Sequence, residues 1–495
     1  MAYRIADIEA GRIHFEMLNV YLLGLLCVQV AILAAGCSDS AHQDVADRPK
    51  LPNVVLLLAD DLGWTGTSVR IDPARPDSMS DFFQTPALER IAEEGMSFSA
   101  AYAPHPICSP TRAGIQTGKN PAALHMTGIS SGSHERPDHL PLTTPIYVRD
   151  LPDEEVTIAE FIKDHQNRYG TAHFGKWHLG KGDPGRHGYD VHDGATDNKD
   201  GLTTDQNDPK RSLEITRRAV DYMATCVEKN RPFFVQLSYY ALHSPIRARP
   251  ATTAKYLHAS PGRRHKNSEY AAMTEDLDAA VGMLLQGIDA LGVADSTYVI
   301  FTSDNGATLE VNGTPATNNS PLAGGKREVL EGGIRVPLFI RGPGIPAGSI
   351  SDIPVIGQDL FPTIAEWLAI GAQLPGGVEG GSLIRLLEGN GAGAVSRPSE
   401  GLVWHYPHYV ERSGIRPQSA IRLGRYKLIH YYEGQQLKLF DLIEDIGETR
   451  DLSESIPEVT AAMEQRLNRY LQSVGAQIPI PNLDRASSVD NPPPL

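Results

Sequence analysis

Three apolar runs in this chain lack alternation: Asn53-Val54-Val55-Leu56-Leu57-Leu58-Ala59, Phe233-Phe234-Val235-Gln236-Leu237-Ser238 and Thr297-Tyr298-Val299-Ile300-Phe301-Thr302-Ser303. A strand with one face in water alternates apolar and polar residues. A strand that is apolar throughout is covered on both faces, as in a parallel sheet between helix layers. The expected class is therefore α/β, with a large mixed, mostly parallel sheet sandwiched by helices. Each run ends abruptly in polar chemistry: Asp60-Asp61-Leu62-Gly63, Ala241-Leu242-His243-Ser244-Pro245 and Asp304-Asn305-Gly306. Sites in open α/β sheets gather beyond the carboxyl ends of strands, so these groups are expected along one edge. Two adjacent carboxylates after a buried strand are costly unless paired or bound to a cation. A solvated turn or a helix cap is the competing reading.

Helical patterns fill the intervals. Thr85 to Gly95 carries a capping threonine, a proline at the first helical position and a terminal glycine. Thr157 to Asp164 reads as helix, and Cys226 lies in a helical pattern with Ile215, Ala219 and Met223. From Glu275 to Gly292, Leu277, Val281, Leu284, Ile288 and Leu291 form one apolar stripe closed by glycine. Lys176 and His178 are two apart, so in an extended segment both point the same way. They can hold an anion and move a proton, or they are ordinary surface residues. Lys326 sits in the glycine-rich Gly324-Gly325-Lys326-Arg327, where the glycines suggest close backbone approach.

Cys108-Ser109-Pro110-Thr111-Arg112 reads as a loop entering a helix, with Pro110 suited to the first helical position. Cys108 is then near a helix N-terminus, where free N–H groups favour anions. Arg112, one turn on, faces the same spot. A buried structural thiol is the bland alternative. The five residues C-x-P-x-R resemble the signature of the sulfatase family, and the resemblance extends in family order over roughly Asn53 to Leu471.

That resemblance implies an alkaline phosphatase-like α/β fold with a smaller C-terminal α+β domain. It implies sulfuric ester hydrolysis, with Cys108 oxidised to formylglycine by a formylglycine-generating enzyme. Asp60, Asp61, Asp304 and Asn305 stand in the positions of the metal ligands, with the modified Cys108 completing the set. The oxygen donors favour Ca²⁺ or Mg²⁺ over zinc, and the resemblance implies Ca²⁺ as the commoner choice. By the same resemblance, the hydrated aldehyde attacks sulfur with Asp304 as base. Arg112, Lys176 and Lys326 offset charge, His243 and Lys326 hold sulfate and protonate the leaving alcohol, and His178 takes the second hydroxyl's proton. The rivals are a phosphodiesterase or phosphonate monoester hydrolase of the same superfamily, and an inactive glycan-binding lipoprotein. The superfamily rival typically carries D-H-G where this chain has Asp304-Asn305-Gly306.

The ends of the chain have a different texture. Val20 to Ala35 is apolar and followed by Gly36-Cys37. Residues 1–36 are expected to be an export signal, with lipid attachment at Cys37 and a polar tether over 37–50. That places the protein in a bacterial periplasm or cell envelope, touching membrane only through the anchor. The catalytic domain is expected over 51–385, the C-terminal subdomain over 396–475 and a tail over 476–495. A net charge of −15 argues against a nucleic-acid partner. Export and family together point to a sulfated polysaccharide or oligosaccharide. Loops 130–153, 183–205 and 405–416 are the expected selectors of the sugar. Trp404, His405, Tyr406 and His408 are either a sugar platform or a core cluster, and His134 and His139 are expected to be solvent-exposed. A Cys108–Cys226 disulfide is not expected.

Overall fold

The computed structural model describes residues 51–132 and 139–483. The expectations for the export signal, Cys37, the tether, His134 and the end of the tail fall outside them. No helix among the described residues is long and apolar enough to cross a membrane.

The apolar runs form β1 (Asn53–Ala59), β5 (Phe233–Ser238) and β6 (Thr297–Ser303), every residue of β1 and β5 being buried. The remaining strands of the sheet are β2 (Met96–Phe98), β3 (Gly170–Gly175), β4 (Val191–His192), β7 (Leu338–Arg341) and β8 (Ser349–Ser351). Their order is β8-β2-β7-β6-β1-β5-β3-β4. β1 lies between β5 and β6 and is parallel to both, so the three polar strand ends emerge side by side. Only β7 runs antiparallel to its neighbours, pairing with β6 and β2. The sheet is mixed and mostly parallel, as expected.

Strand residues alternate between faces. Val55, Leu57 and Ala59 join a core with Ile215, Ala219 and Met223 of α4 (Ser212–Glu228) and Leu277, Val281, Leu284 and Ile288 of α5 (Ser268–Ala290). Each such Val, Leu, Ile or Met side chain contributes about 1.5–3 kcal/mol by leaving water. On the other face, Gln236 of β5 accepts a hydrogen bond from Gln116 of α2 (Cys108–Thr117) at 2.8 Å. One helix boundary and one cap differ from expectation. α5 starts at Ser268, capped by Asn267, whose side chain accepts from Glu269 and Tyr270 N–H. In α1 (Pro86–Glu93), Thr85 makes no capping bond. The distant Asp278 carboxylate instead accepts from Ala87 and Leu88 N–H, each at 2.9 Å. The helix α3 (Ile158–His165) carries a full capping box from Thr157 and Glu160.

The C-terminal part forms an antiparallel sheet, β9 (Leu402–Tyr406), β10 (Gln418–Leu423), β11 (Tyr426–Tyr431) and β12 (Gln436–Asp441), in that order. Val403, Ile421, Leu428 and Leu439 pack on Met463, Leu467 and Leu471 of α6 (Pro457–Ser473). The alternate residues Leu402, Trp404, Ala420, Ile429 and Phe440 pack on Tyr102, Val329 and Ile334. Trp404 is fully buried and its Nε1 donates to Ala103 O at 2.8 Å, while His405 Nδ1 meets Ser419 Oγ at 2.6 Å. These residues are core, and the platform alternative falls.

A buried polar cluster ties the C-terminal sheet to the segment 331–335. Lys427 Nζ lies 2.9 Å from Glu331 Oε1 and 2.8 Å from Glu448 Oε1, all with no exposed side-chain surface. Glu331 also accepts from Tyr102 OH and Arg335. Burial would raise Glu331, but Lys427, Arg335 and Arg422 outweigh it and hold the carboxyl at about 2. Glu448 has one cation to share with Glu331, and burial pushes it up to about 7. The signs are opposite. A depressed carboxylate adds stability that is lost as pH falls, and a raised one adds stability that is lost as pH rises through its folded value. Between an unfolded value of about 4.3 and about 7, Glu448 therefore makes the fold less stable with rising pH. Glu448→Gln keeps an acceptor for Glu331 N–H, which bonds Glu448 Oε2 at 2.6 Å. Thermal melts from pH 5 to 8 are expected to show a shallower decline in Glu448→Gln than in wild type, by up to about 3 kcal/mol. Parallel curves would overturn this assignment.

Candidate active site

Backbone register brings the acids together. Ala59 pairs with Ser303 and Leu58 with Ser238, so Asp60 and Asp304 both stand one residue past the same rung. Asp304 N donates to Ala59 O at 3.1 Å, and Asp60 N to Ala241 O at 3.0 Å. Consecutive strand residues point to opposite faces, but Asp61 has φ +60°. This left-handed residue breaks the alternation, and both carboxylates converge. Asp61 N then donates to Asp304 Oδ1 at 3.2 Å.

The helix α2 begins at Cys108, with Ile107 as an extended N-cap residue. Pro110 is thus its third residue rather than its first, because Cys108 and Ser109 already have helical backbone. Cys108 Sγ donates to Asp60 Oδ1 at 3.5 Å and accepts from Lys326 Nζ at 3.3 Å. One turn on, the Arg112 fork binds Asp304 Oδ2 through Nε (3.0 Å) and Nη2 (2.7 Å), and Nη1 donates to Lys176 O at 2.6 Å. Lys176 is fully buried and its Nζ donates to Asp60 Oδ2 at 2.5 Å. Lys326 Nζ donates to Asp61 Oδ1 at 2.6 Å.

The segment 176–178 is not the extended stretch expected. β3 ends at Gly175 with φ +92°, and His178 has φ +57°. Both side chains still reach the site. His178 is buried, its Nε2 lies 3.2 Å from Ser131 Oγ, and its Nδ1 has no partner among the described residues. His243 Nδ1 donates to Ser244 O at 2.7 Å, which leaves Nε2 as its available atom. Asn305 Nδ2 donates to Asp61 Oδ1 at 2.7 Å and to Gly306 O at 2.9 Å, whereas its buried Oδ1 has no partner among the described residues.

The residues expected to act in catalysis or to hold the metal are therefore brought together. Four partners were missed. Thr308 Oγ1 donates to Asp61 Oδ2 at 3.0 Å, and Tyr270 OH to Asp61 O at 3.2 Å. Lys210 Nζ donates to His243 O at 2.7 Å, and Ser131 meets His178. Thr308 closely follows Asp304-Asn305 and was the one with a visible signal. Cys108 and Cys226 are both free thiols. His139 is exposed, with Nε2 3.0 Å from Glu411 Oε2.

Charge here is close to balanced, with Asp60, Asp61 and Asp304 against Arg112, Lys176 and Lys326. Burial would raise Asp60, but Lys176, His243, Arg112 and Lys326 hold it well below the usual carboxylate range. Asp304 is pushed up to about 6 by burial and by Asp60, against Arg112 and Lys176. Burial pushes the Cys108 thiol up to about 12, with Asp304 adding to the rise. An unmodified thiol here is protonated and a poor nucleophile. Burial lowers His178 well below its ordinary value and His243 to about 4, Lys326 adding in the second case. Burial thus disfavours the charged form of both imidazoles.

Ligand atoms of Asp60, Asp61, Cys108 and Asp304 lie within 4.8 Å of one another. Three carboxylates and an amide oxygen left without a donor suit a hard cation. Above them opens a cleft of about 850 Å³, with Asp61, His243, Thr308 and Lys326 among its lining residues. Ser131, Asn198 and Ser413 line it from the three loops expected to choose substrate. A further wall, Leu309 to Gly313, was not anticipated.

The Sulfatase family model matches residues 52–370, and the model for the C-terminal part of N-sulphoglucosamine sulphohydrolase matches 325–473. A sulfatase of Formosa agariphila is 29% identical, over 88% of this chain and 90% of its own length. Mouse N-acetylgalactosamine-6-sulfatase is 31% identical over 64% of this chain, which spans only 62% of that protein. The crystal structure of Ps i-CgsB in complex with k-i-k-neocarrahexaose superposes with a TM-score of 0.69 at 25% identity, covering 85% of this chain and 93% of that one.

Proposed function

The chain belongs to the sulfatase family, and on that premise we propose that it hydrolyses sulfate esters of a sulfated carbohydrate at the site around residue 108. The observation that carries this reading is the convergence of Asp60, Asp61 and Asp304 on Cys108, with their ligand atoms within 4.8 Å. Arg112, Lys176 and Lys326 ring that cluster.

Asp60, Asp61, Asp304, the Asn305 amide oxygen and the modified residue 108 would hold the cation, Ca²⁺ or Mg²⁺. The unpartnered Asn305 Oδ1 supports that fit. When bound, the cation supplies Lewis acidity and positive charge against the sulfate oxygens. Oxidation of Cys108 to formylglycine by a formylglycine-generating enzyme supplies the oxygen nucleophile that the buried thiol lacks.

The remaining roles belong to this chain's side chains. Arg112 and Lys176 fix the Asp304 and Asp60 carboxylates by charged hydrogen bonds. Asp304 takes the proton of the attacking hydroxyl. Lys326 and His243 hold the sulfate oxygens, and His243, which takes up a proton on Nε2 as the anionic substrate binds, delivers that proton to the leaving alcohol. Lys210 positions His243 through its carbonyl. His178, buried and neutral, takes the proton of the second hydroxyl as sulfate leaves. Asn305 in place of histidine lowers site charge, which favours a sulfate ester over a dianionic phosphate. In this reading residues 1–36 are an export signal and Cys37 carries a lipid, at the periplasm or cell envelope.

The test is sulfate release from a panel of sulfated sugars, beside matched phosphate esters, by protein matured in a host that supplies the oxidising enzyme. Sulfate release is expected, lost on EDTA treatment and restored by Ca²⁺. Faster cleavage of the phosphate esters, or no loss with chelator, would overturn the reading.

A further inference from the structure

One cation in the cleft wall has no role in the chemistry above. Arg327 directly follows Lys326 and lines the same cleft. Lys326 is committed to Asp61 and Cys108. Arg327 is not: among the described residues its guanidinium has neither an ion pair nor a hydrogen bond. The described acids that line the cleft beside it leave it free. Glu328 Oε2 accepts from Gly325 N–H at 2.9 Å, and Glu310 is exposed.

The backbone at Arg327 is held firmly. Its N–H donates to Pro106 O at 2.9 Å, and its carbonyl accepts from Gln418 Nε2 at 3.2 Å. Gln418 Oε1 accepts from Val329 N–H at 3.2 Å, so one amide clamps both ends of the turn. Arg327 has φ +80°. That left-handed conformation costs an arginine on the order of 1 kcal/mol and persists only where its surroundings impose it. Arginine stays charged at any working pH, and its planar fork binds a carboxylate or a sulfate through two parallel hydrogen bonds. A guanidinium carried on this held backbone beside the sulfate-holding lysine, without an ion pair among the described residues, is suited to meet an anion that enters with the substrate.

We propose that Arg327 recognises a second anionic group, a carboxylate or a further sulfate, on the saccharide whose sulfate ester is cleaved. This rests on the sulfatase reading and narrows its substrate class to sugars carrying two or more negative groups. Arg327 determines specificity and takes no part in bond making.

The test uses three substrates on one sugar scaffold: a monosulfated sugar otherwise neutral, the same sugar with an added carboxylate, and the same sugar with a second sulfate. Wild-type protein is expected to show kcat/KM at least about tenfold higher for one of the two dianionic substrates, through KM. Which of them is preferred identifies the anion. In Arg327→Gln the ratio is expected to collapse to within about twofold of unity, and in Arg327→Lys to fall between. Melting temperatures confirm that both variants are folded. Cleavage of the neutral substrate without any preference in wild type, or an unchanged ratio in a folded Arg327→Gln, overturns this inference alone. No sulfate release by wild type from any of the three overturns the sulfatase reading and this inference with it.

Discussion

Cys108→Ser and Cys108→Ala proteins are expected to show no multiple turnover, with kcat down by on the order of 10⁵–10⁶, while folding normally. Cys108 is 1% exposed, and serine is near enough in size to keep the contacts with Asp60 Oδ1 and Lys326 Nζ. Loss of stability is therefore expected to stay within about 1 kcal/mol for serine. The chemical loss is another matter. A serine hydroxyl offers a single oxygen. If it were sulfated, it would have no second hydroxyl with which to expel sulfate, and His178 would have no proton to take. Mass spectrometry of Cys108→Ser after incubation is expected to find the introduced serine unmodified or carrying one sulfo group, with no steady release of sulfate. Normal turnover in either variant would refute a covalent role for this position.

Arg112→Met is the second large effect. Arg112 is 2% exposed and Asp304 is fully buried. Removing the fork strips Asp304 Oδ2 of both donors and Lys176 O of a third. One buried carboxylate is then left without its counter-charge, a loss of about 3–5 kcal/mol. A divalent cation on the acids would offset much of that, so the loss is expected to be largest in EDTA and smaller in millimolar Ca²⁺. Denaturant midpoints in the two conditions measure the difference. Activity is expected to fall by about 10²–10³ even when Ca²⁺ restores the fold. Equal midpoints for variant and wild type in EDTA would show that Asp304 does not depend on this partner.

The strand cores and their polar ends were legible because burial on both faces leaves a run with no alternation. β1, β5 and β6 could be read directly, and each pointed to residues at the site. What could not be read was which rungs pair. The step from Ala59 opposite Ser303 to Asp60 beside Asp304 spans more than 200 residues of chain. The pairing of α1 with a cap failed for the same reason. Thr85 is a good local candidate, but Asp278 arrives from another helix and takes the N–H groups. Parity also misled at Lys176 and His178. Both reach the site, but by left-handed turns at Gly175 and His178 rather than by a shared strand face. Trp404 and His405 could not be sorted from sequence, since an aromatic run suits a core and a sugar surface equally. Lys210 and Tyr270 act through the backbone carbonyls of His243 and Asp61, and such second partners leave no pattern in the chain.

The Gln418 clamp has a practical corollary. Its amide belongs to β10, yet it fixes the turn that bears Lys326 and Arg327. An abbreviated enzyme ending ahead of Leu402 would forfeit that grip and lay bare Tyr102, Val329 and Ile334, now covered by Trp404 and its neighbours. Anyone trimming the molecule for production should carry the stretch through α6 intact. Efforts to retune sugar preference have freer ground in the hairpin around Asn312 and the bend at Ser413, which line the mouth from outside that clamp.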